Sequence, residues 1–483
     1  MKEIFYGNSN SILKYTFISH SLTNIAVEKS IKNLIKKVSK SKLNQFIKNM
    51  NLTKGIQKSL GPGILLAGAA IGGSHLLSST TAGARFGFSL VGLILLTNLF
   101  KYPFLLVGTR FTASTGKSLL EGFKERNSLY LPLFLIVSLI TGTFTIAAVS
   151  FVSGVLLTNI PFFAAFPAMD LSIGVLIVSG MILILGKYKA LDRISKILVA
   201  LLTFLTLFAV ISLLLKGSIN ESLNMSFFEP EISPWKLTNL AFLIPLMGWM
   251  PCPVELCVWP SLWMFSRAKD SNYKPNINEA EFDFNLGYLI TVVTAIFFLT
   301  LGAITMYGTG DGMLSGSGVS FAQKLILLYT KSIGNWAKWI IIPAAFAAMF
   351  STTITCLDAY PRSISAIQGL LRGTDFGHMD SKAERNRFQL WMIVHIFASL
   401  IALLIARSGG IGVKDFVFAA MTGSFLTAPL FAWMAMDTIN SKLVPIKNRY
   451  GLFLKTISWI GLIFLTLFSL LFIANSFFGI GID

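Results

Sequence analysis

What most limits this chain is the recurrence, between residues 60 and 478, of long stretches that are apolar and almost free of charge. A helix needs roughly 20 mostly apolar residues to cross the hydrocarbon core of a bilayer. Eleven stretches are candidates: 60–84, 88–108, 129–157, 169–186, 194–215, 236–264, 284–306, 337–360, 388–406, 412–438 and 451–478. Only 13% of the residues are charged, where a soluble domain carries about 25%. The chain therefore reads as one all-α membrane domain and not as several soluble ones. The bilayer is its expected surrounding.

The net charge of +18 does not point to nucleic acid, because no basic-aromatic module is visible. The basic residues gather in short loops and in residues 1–58, which hold eleven Lys against Glu3 and Glu28. With the N-terminus in the cytoplasm, the inner loops 110–126, 187–196, 267–274, 362–387 and 442–449 hold nineteen Lys and Arg. The outer positions hold seven: Arg85, Lys216, Lys236, Lys324, Lys331, Arg407 and Lys414. This asymmetry predicts a cytoplasmic N-terminus, and an odd number of spans puts Asp483 outside. No continuous apolar core follows the first charges, so no cleavable signal is read and an inner (plasma) membrane location is expected. Residues 25–47 carry apolar positions at rough helical spacing among lysines, which suits either a surface helix on anionic lipid or an unstructured tail. Met50 is an alternative start for the protein. Cys252, Cys257 and Cys356 make neither zinc spacing nor a disulfide framework.

Two spans are interrupted. The first contains Ala70-Ile71-Gly72-Gly73-Ser74-His75 and the sixth contains Met250-Pro251-Cys252-Pro253. Glycine pairs and close prolines break helical hydrogen bonding, and open backbone at bilayer depth survives only where it is buried or lines a cavity. The breaks lie five spans apart, and a five-span unit repeated once inverts its topology. Residues 59–215 and 235–440 are then two inverted halves, 451–478 is an eleventh span, and a binding site is expected at the midplane between the breaks. The alternative is a pair of kinked structural helices.

Gly61-Pro62-Gly63 opens the first span and Ala82-Gly83 closes it; Arg110-Phe111-Thr112-Ala113-Ser114-Thr115-Gly116-Lys117 follows the second, and Ser351-Thr352-Thr353-Ile354-Thr355 lies in the eighth. In these segments, over roughly residues 60–440, the chain resembles the NRAMP metal-ion transporters. The resemblance implies a LeuT-like 5+5 inverted repeat with alternating access. It also marks a departure. Where that family has Asp-Pro-Gly-Asn, this chain has Gly72-Gly73-Ser74-His75, and where it has Met-Pro-His this chain has Met250-Pro251-Cys252. The soft Met remains, but the anionic ligand and the His do not. A desolvated dication needs negative charge or strong dipoles beside it.

The second halves of the broken spans begin near Ser74 and Pro253, so helix N-termini face the centre and favour a small oxyanion. Candidate substrate residues are Gly72, Gly73, Ser74, His75, Ser78, Met250, Cys252, Pro253 and Glu255, with Ser79 adding a further hydroxyl. In LeuT-like folds a sodium ion sits between span eight and the first break. The resemblance thus suggests sodium coupling through Ser351, Thr352 and Thr355 with the carbonyls of Ala70 or Ile71, against a plain helix-packing role for the hydroxyls. Glu255 is the main candidate for a proton or cation site, since ionisable groups inside a membrane are costly. Lys101 is read as a counter-charge to Glu255 or as a snorkelling residue, Asp358 with Arg362 as an i,i+4 pair, and His395 as packed. The expected function is sodium-coupled uptake of a small inorganic anion such as bicarbonate by a monomer without cofactors. The rival is a proton-coupled transporter of Mn, Fe or Mg. No nucleophile–base pair suggests an enzyme.

Overall fold

A computed structural model describes residues 60–185, 188–215, 233–307, 318–373 and 382–478. The basic tail of residues 1–58 lies outside them. Among the described residues all regular structure is helical. Eight helices are long and apolar enough to span a membrane, nine when the bent pair Pro62–Ala70 and Ser74–Phe86 counts as one. Tyr188–Leu215 and the two halves of span six, Leu240–Gly248 and Val258–Ser271, complete the eleven. Their apolar helical parts, Ala200–Leu215 and Leu237–Gly248, are each shorter than a full span. Large apolar side chains such as Ile136 and Ile140 on span three, and Phe397 and Ile401 on span nine, point outward, as a lipid-facing surface requires.

Several boundaries differ from the sequence reading. Span two runs Val91–Thr115, so Arg110–Thr115 form its last turns and Gly116, at φ 71°, closes it. Span eight continues through Pro361 to Leu371, which brings Arg362 into the helix. Two further helices were not anticipated. Leu119–Arg126 starts with a capping box between Ser118 and Glu121, and Gly318–Ile333 precedes span eight. Arg126 is held by Asp437 of span ten at 2.7 Å, and this hydrogen bond raises the pKa of the guanidinium.

Span seven, Ile277–Met306, is the backing of span one. A Cβ added to Gly63 would sit 2.2 Å from the Asp283 carbonyl oxygen, and one on Gly287 would sit 2.2 Å from the Gly63 carbonyl. At the other end, added Cβ atoms on Gly83 and Gly302 would fall 2.0 Å from Leu299 O and 2.2 Å from Thr80 O. The two backbones therefore touch at both ends, which only residues without side chains permit. The Asp283 carboxylate also accepts from Gly61 N at 3.0 Å and Gly63 N at 2.6 Å, satisfying amides that the first turn of span one leaves open.

Candidate functional site: the pocket between two broken helices

Span one stops at Ala70, bends by 47° and resumes as a π-helical turn, Ser74–Ser79, running into Thr80–Phe86. The glycines serve close approach here: a Cβ on Gly72 would lie 2.7 Å from Thr352 Oγ1 of span eight, and one on Gly73 would lie 3.2 Å from the Trp249 ring. Span six stops at Gly248, crosses Trp249–Pro253 outside regular helix, with a long bond from Met250 N to Met247 O at 3.4 Å, and resumes with the 3-10 turn Val254–Cys257. Pro251 has no N–H to offer Met247 O, which is what ends the first half at this place.

A small cavity of about 20 Å³ lies between the breaks. Span one contributes Ala70, Gly73 and Ser74; span six contributes Trp249, Pro251, Cys252 and Pro253. Span three adds Thr145 and Val149, and span eight adds Thr352 and Cys356. Its polar side chains are hydroxyls and thiols, with no carboxylate among the lining residues. Thr145 Oγ1 is buried without a hydrogen bond of normal geometry, beside the Tyr360 hydroxyl. Sequence reasoning missed Thr145, although Ser138, Thr141 and Thr145 recur at intervals of three and four in an apolar span and share one buried face.

Of the residues singled out from sequence, Ala70, Gly73, Ser74, Cys252, Pro253 and Thr352 border this cavity, while the others lie off it. His75 points away: its Nε2 meets Thr291 O of span seven at 2.9 Å and its Nδ1 meets Ser74 Oγ at 2.8 Å. A neutral ring protonated on Nε2 satisfies both contacts, donating to Thr291 and accepting from Ser74. Ser78 donates to Met421 Sδ at 3.4 Å, and Met250 is packed in the apolar core. Ile71 is likewise buried in apolar packing. Thr352 Oγ1 lies 3.2 Å from Gly68 O, so span eight does meet the end of the first half of span one. The Thr355 hydroxyl folds back on Ser351 O at 2.8 Å.

The two buried charges do not meet. Glu255 accepts from Thr141 Oγ1 at 2.8 Å and from the Tyr360 hydroxyl, bridging spans three and eight behind the pocket. Lys101 is instead held by main-chain carbonyls: its Nζ donates to Met247 O at 2.6 Å, Gly248 O at 2.7 Å and Cys252 O at 3.2 Å. Neither the expected pairing with Glu255 nor snorkelling occurs, because the break in span six offers nearer acceptors. Asp358 and Arg362 do pair, at 2.5 Å, with Trp263 Nε1 donating to Asp358 at 3.2 Å. His395 Nδ1 is bonded to Trp391 O of its own helix at 2.8 Å.

Residues 63–475 match the family described as natural resistance-associated macrophage protein-like, or Nramp. The chain belongs to the Nramp family. A similar protein, the uncharacterized protein PM0681 of Pasteurella multocida, is 36% identical over 433 residues, covering 88% of this chain and 95% of that one. The divalent metal cation transporter MntH of Levilactobacillus brevis is 26% identical over 276 residues, 55% of this chain and 57% of that protein. In fold, the Eremococcus coleocola manganese transporter aligns over 89% of both chains with a TM-score of 0.62 and 16% identity. This Nramp protein is thus a multi-pass membrane transporter of LeuT-like architecture, and not an enzyme.

Proposed function

We propose that this Nramp-family protein carries a small oxyanion, with bicarbonate as the leading cargo, through the pocket between the two breaks. The observation that supports this most is the pocket lining: Ser74, Thr145 and Thr352 hydroxyls with the thiols of Cys252 and Cys356, and no carboxylate. A dication stripped of water there would have no anionic oxygen to replace its hydration. An oxyanion would find hydroxyls and the start of the second half of span six, while the Lys101 ammonium stands behind the break, outside the lining. In this reading the driving ion is sodium, taken where the Thr352 hydroxyl meets Gly68 O of span one.

The second reading is a divalent cation, favoured by the manganese and divalent metal cation transporters among the similar proteins. Against it, no group of three or more His, Cys, Asp or Glu among the described residues could hold a metal ion. Purified protein in liposomes separates the two. Labelled bicarbonate uptake is measured with and without an inward sodium gradient, and manganese entry is followed with an internal metal-sensitive dye. Sodium-dependent bicarbonate accumulation without a metal signal is the expected result. Manganese entry without bicarbonate uptake overturns it.

A further inference from the structure

The Lys101 ammonium is unusual in what holds it. Its side chain is fully buried, reaches from span two into the break of span six, and finds three carbonyl oxygens where a buried ammonium would usually find a carboxylate. Two of those oxygens lose their ordinary helical donor for a reason written in the sequence, Met247 O keeping a long 3.4 Å contact from Met250 N. In a continuous helix Met247 O would take the N–H of residue 251, which is proline, and Gly248 O would take that of Cys252, which the break carries away. The C-terminal end of a half-helix also carries partial negative charge. Converging carbonyls at a negative dipole end are the coordination a free monovalent cation seeks in broken membrane helices. Here a donor with three N–H groups fills that place and satisfies the oxygens by hydrogen bonds. Close by, a Cβ on Gly108 of span two would lie 1.8 Å from Cys257 O, so span two lies against both sides of the break at van der Waals distance or less.

We propose that Lys101 is a tethered cation: as part of span two it permanently occupies a monovalent-cation site at the end of the first half of span six, holding the break open without a free ion. It acts as a positioning residue, because it touches the backbone of the break and does not line the pocket. The inference does not rest on the identity of the cargo.

The test is chemical rescue. Lys101→Ala removes the ammonium and leaves a space that n-propylammonium fits, while choline, lacking N–H donors, serves as the control. Melting temperature of purified protein is read first, since it needs no cargo; uptake of whichever ion the wild type carries is read second. Losing charge-assisted bonds to carbonyls that lack their ordinary helical donors should lower uptake about tenfold or more. Increasing n-propylammonium should restore both melting temperature and uptake towards wild type, with no effect on the wild type and none from choline. Where Lys101→Ala aggregates, purification in the amine should recover monodisperse protein. Lys101→Met, which keeps length and loses charge, should remain impaired. Wild-type uptake by Lys101→Met overturns the proposal. So does a Lys101→Ala protein that is indifferent to the amine, whether folded or aggregated.

Discussion

The two breaks share an architecture and differ in how their opened backbone is satisfied. The break in span one is closed mostly by its own residues. Gly72 N donates to Ala70 O at 2.9 Å, His75 N and Leu76 N donate to Gly72 O at 3.1 and 3.0 Å, and the His75 ring reaches out to span seven. The break in span six does less of this, because Pro251 and Pro253 contribute no N–H and Met250 N reaches Met247 O only at 3.4 Å, and it borrows a lysine from span two. A glycine break can heal locally since its amides remain; a proline break needs an outside donor. The first is held by its own backbone and the His75 contact, the second by a borrowed charge.

That comparison can be broken at several points. The largest effect should come from Gly108→Ile, which drives a side chain into Cys257 O behind the span-six break. Overpacking against backbone should cost about 3 kcal/mol or more, seen as loss of monodisperse protein or a collapse in melting temperature. An unchanged melting temperature would mean that spans two and six are not in fixed contact. Next, His75→Ala should lower stability by about 2 kcal/mol through the lost span-seven hydrogen bond and the space left by a buried ring. Uptake at a permissive temperature should persist, and its abolition would return His75 to the cargo site.

Thr145→Val sharpens the comparison further. It removes a buried hydroxyl that lacks a partner, so stability should hold or rise slightly, whereas cargo affinity should fall roughly three- to tenfold. Titration of uptake against cargo concentration, paired with thermal melts, reads the two effects apart; equal affinities would take Thr145 out of the binding set. The smallest effect should come from Arg126→Gln, on neither break. Its pair with Asp437 is half exposed, and the change in melting should correspond to about 1 kcal/mol or less.

The breaks themselves were legible because glycine pairs and paired prolines alter backbone chemistry wherever they occur. The partner of Lys101 was not, because main-chain carbonyls leave no trace in a sequence. For the same reason Glu255 seemed its natural mate, although hydroxyls of Thr141 and Tyr360 had already taken the carboxylate. His75 was misleading in another way. Adjacent to the break in sequence, it is turned towards Thr291 by the π-helical turn, a geometry that no residue pattern announced. The Leu119–Arg126 helix carried its start signal, Ser118 with Glu121 three residues later, but is too short for its periodicity to be read. Span five was legible from its apolar run over 194–215, although the helix itself starts earlier, at Tyr188, among basic residues.

The glycine clasps between spans one and seven have a mechanical meaning. A bent rod fastened to a straight one at both ends, with a strut from His75 near its bend, has little freedom to slide or to swivel independently. Displacing Gly63 from Gly287, or Gly83 from Gly302, would pull apart surfaces in backbone contact, so each half of the rod travels with the stretch of span seven to which it is clasped. The pair then works as a jointed beam, in which a small change of angle at the pocket becomes a larger excursion at its far ends.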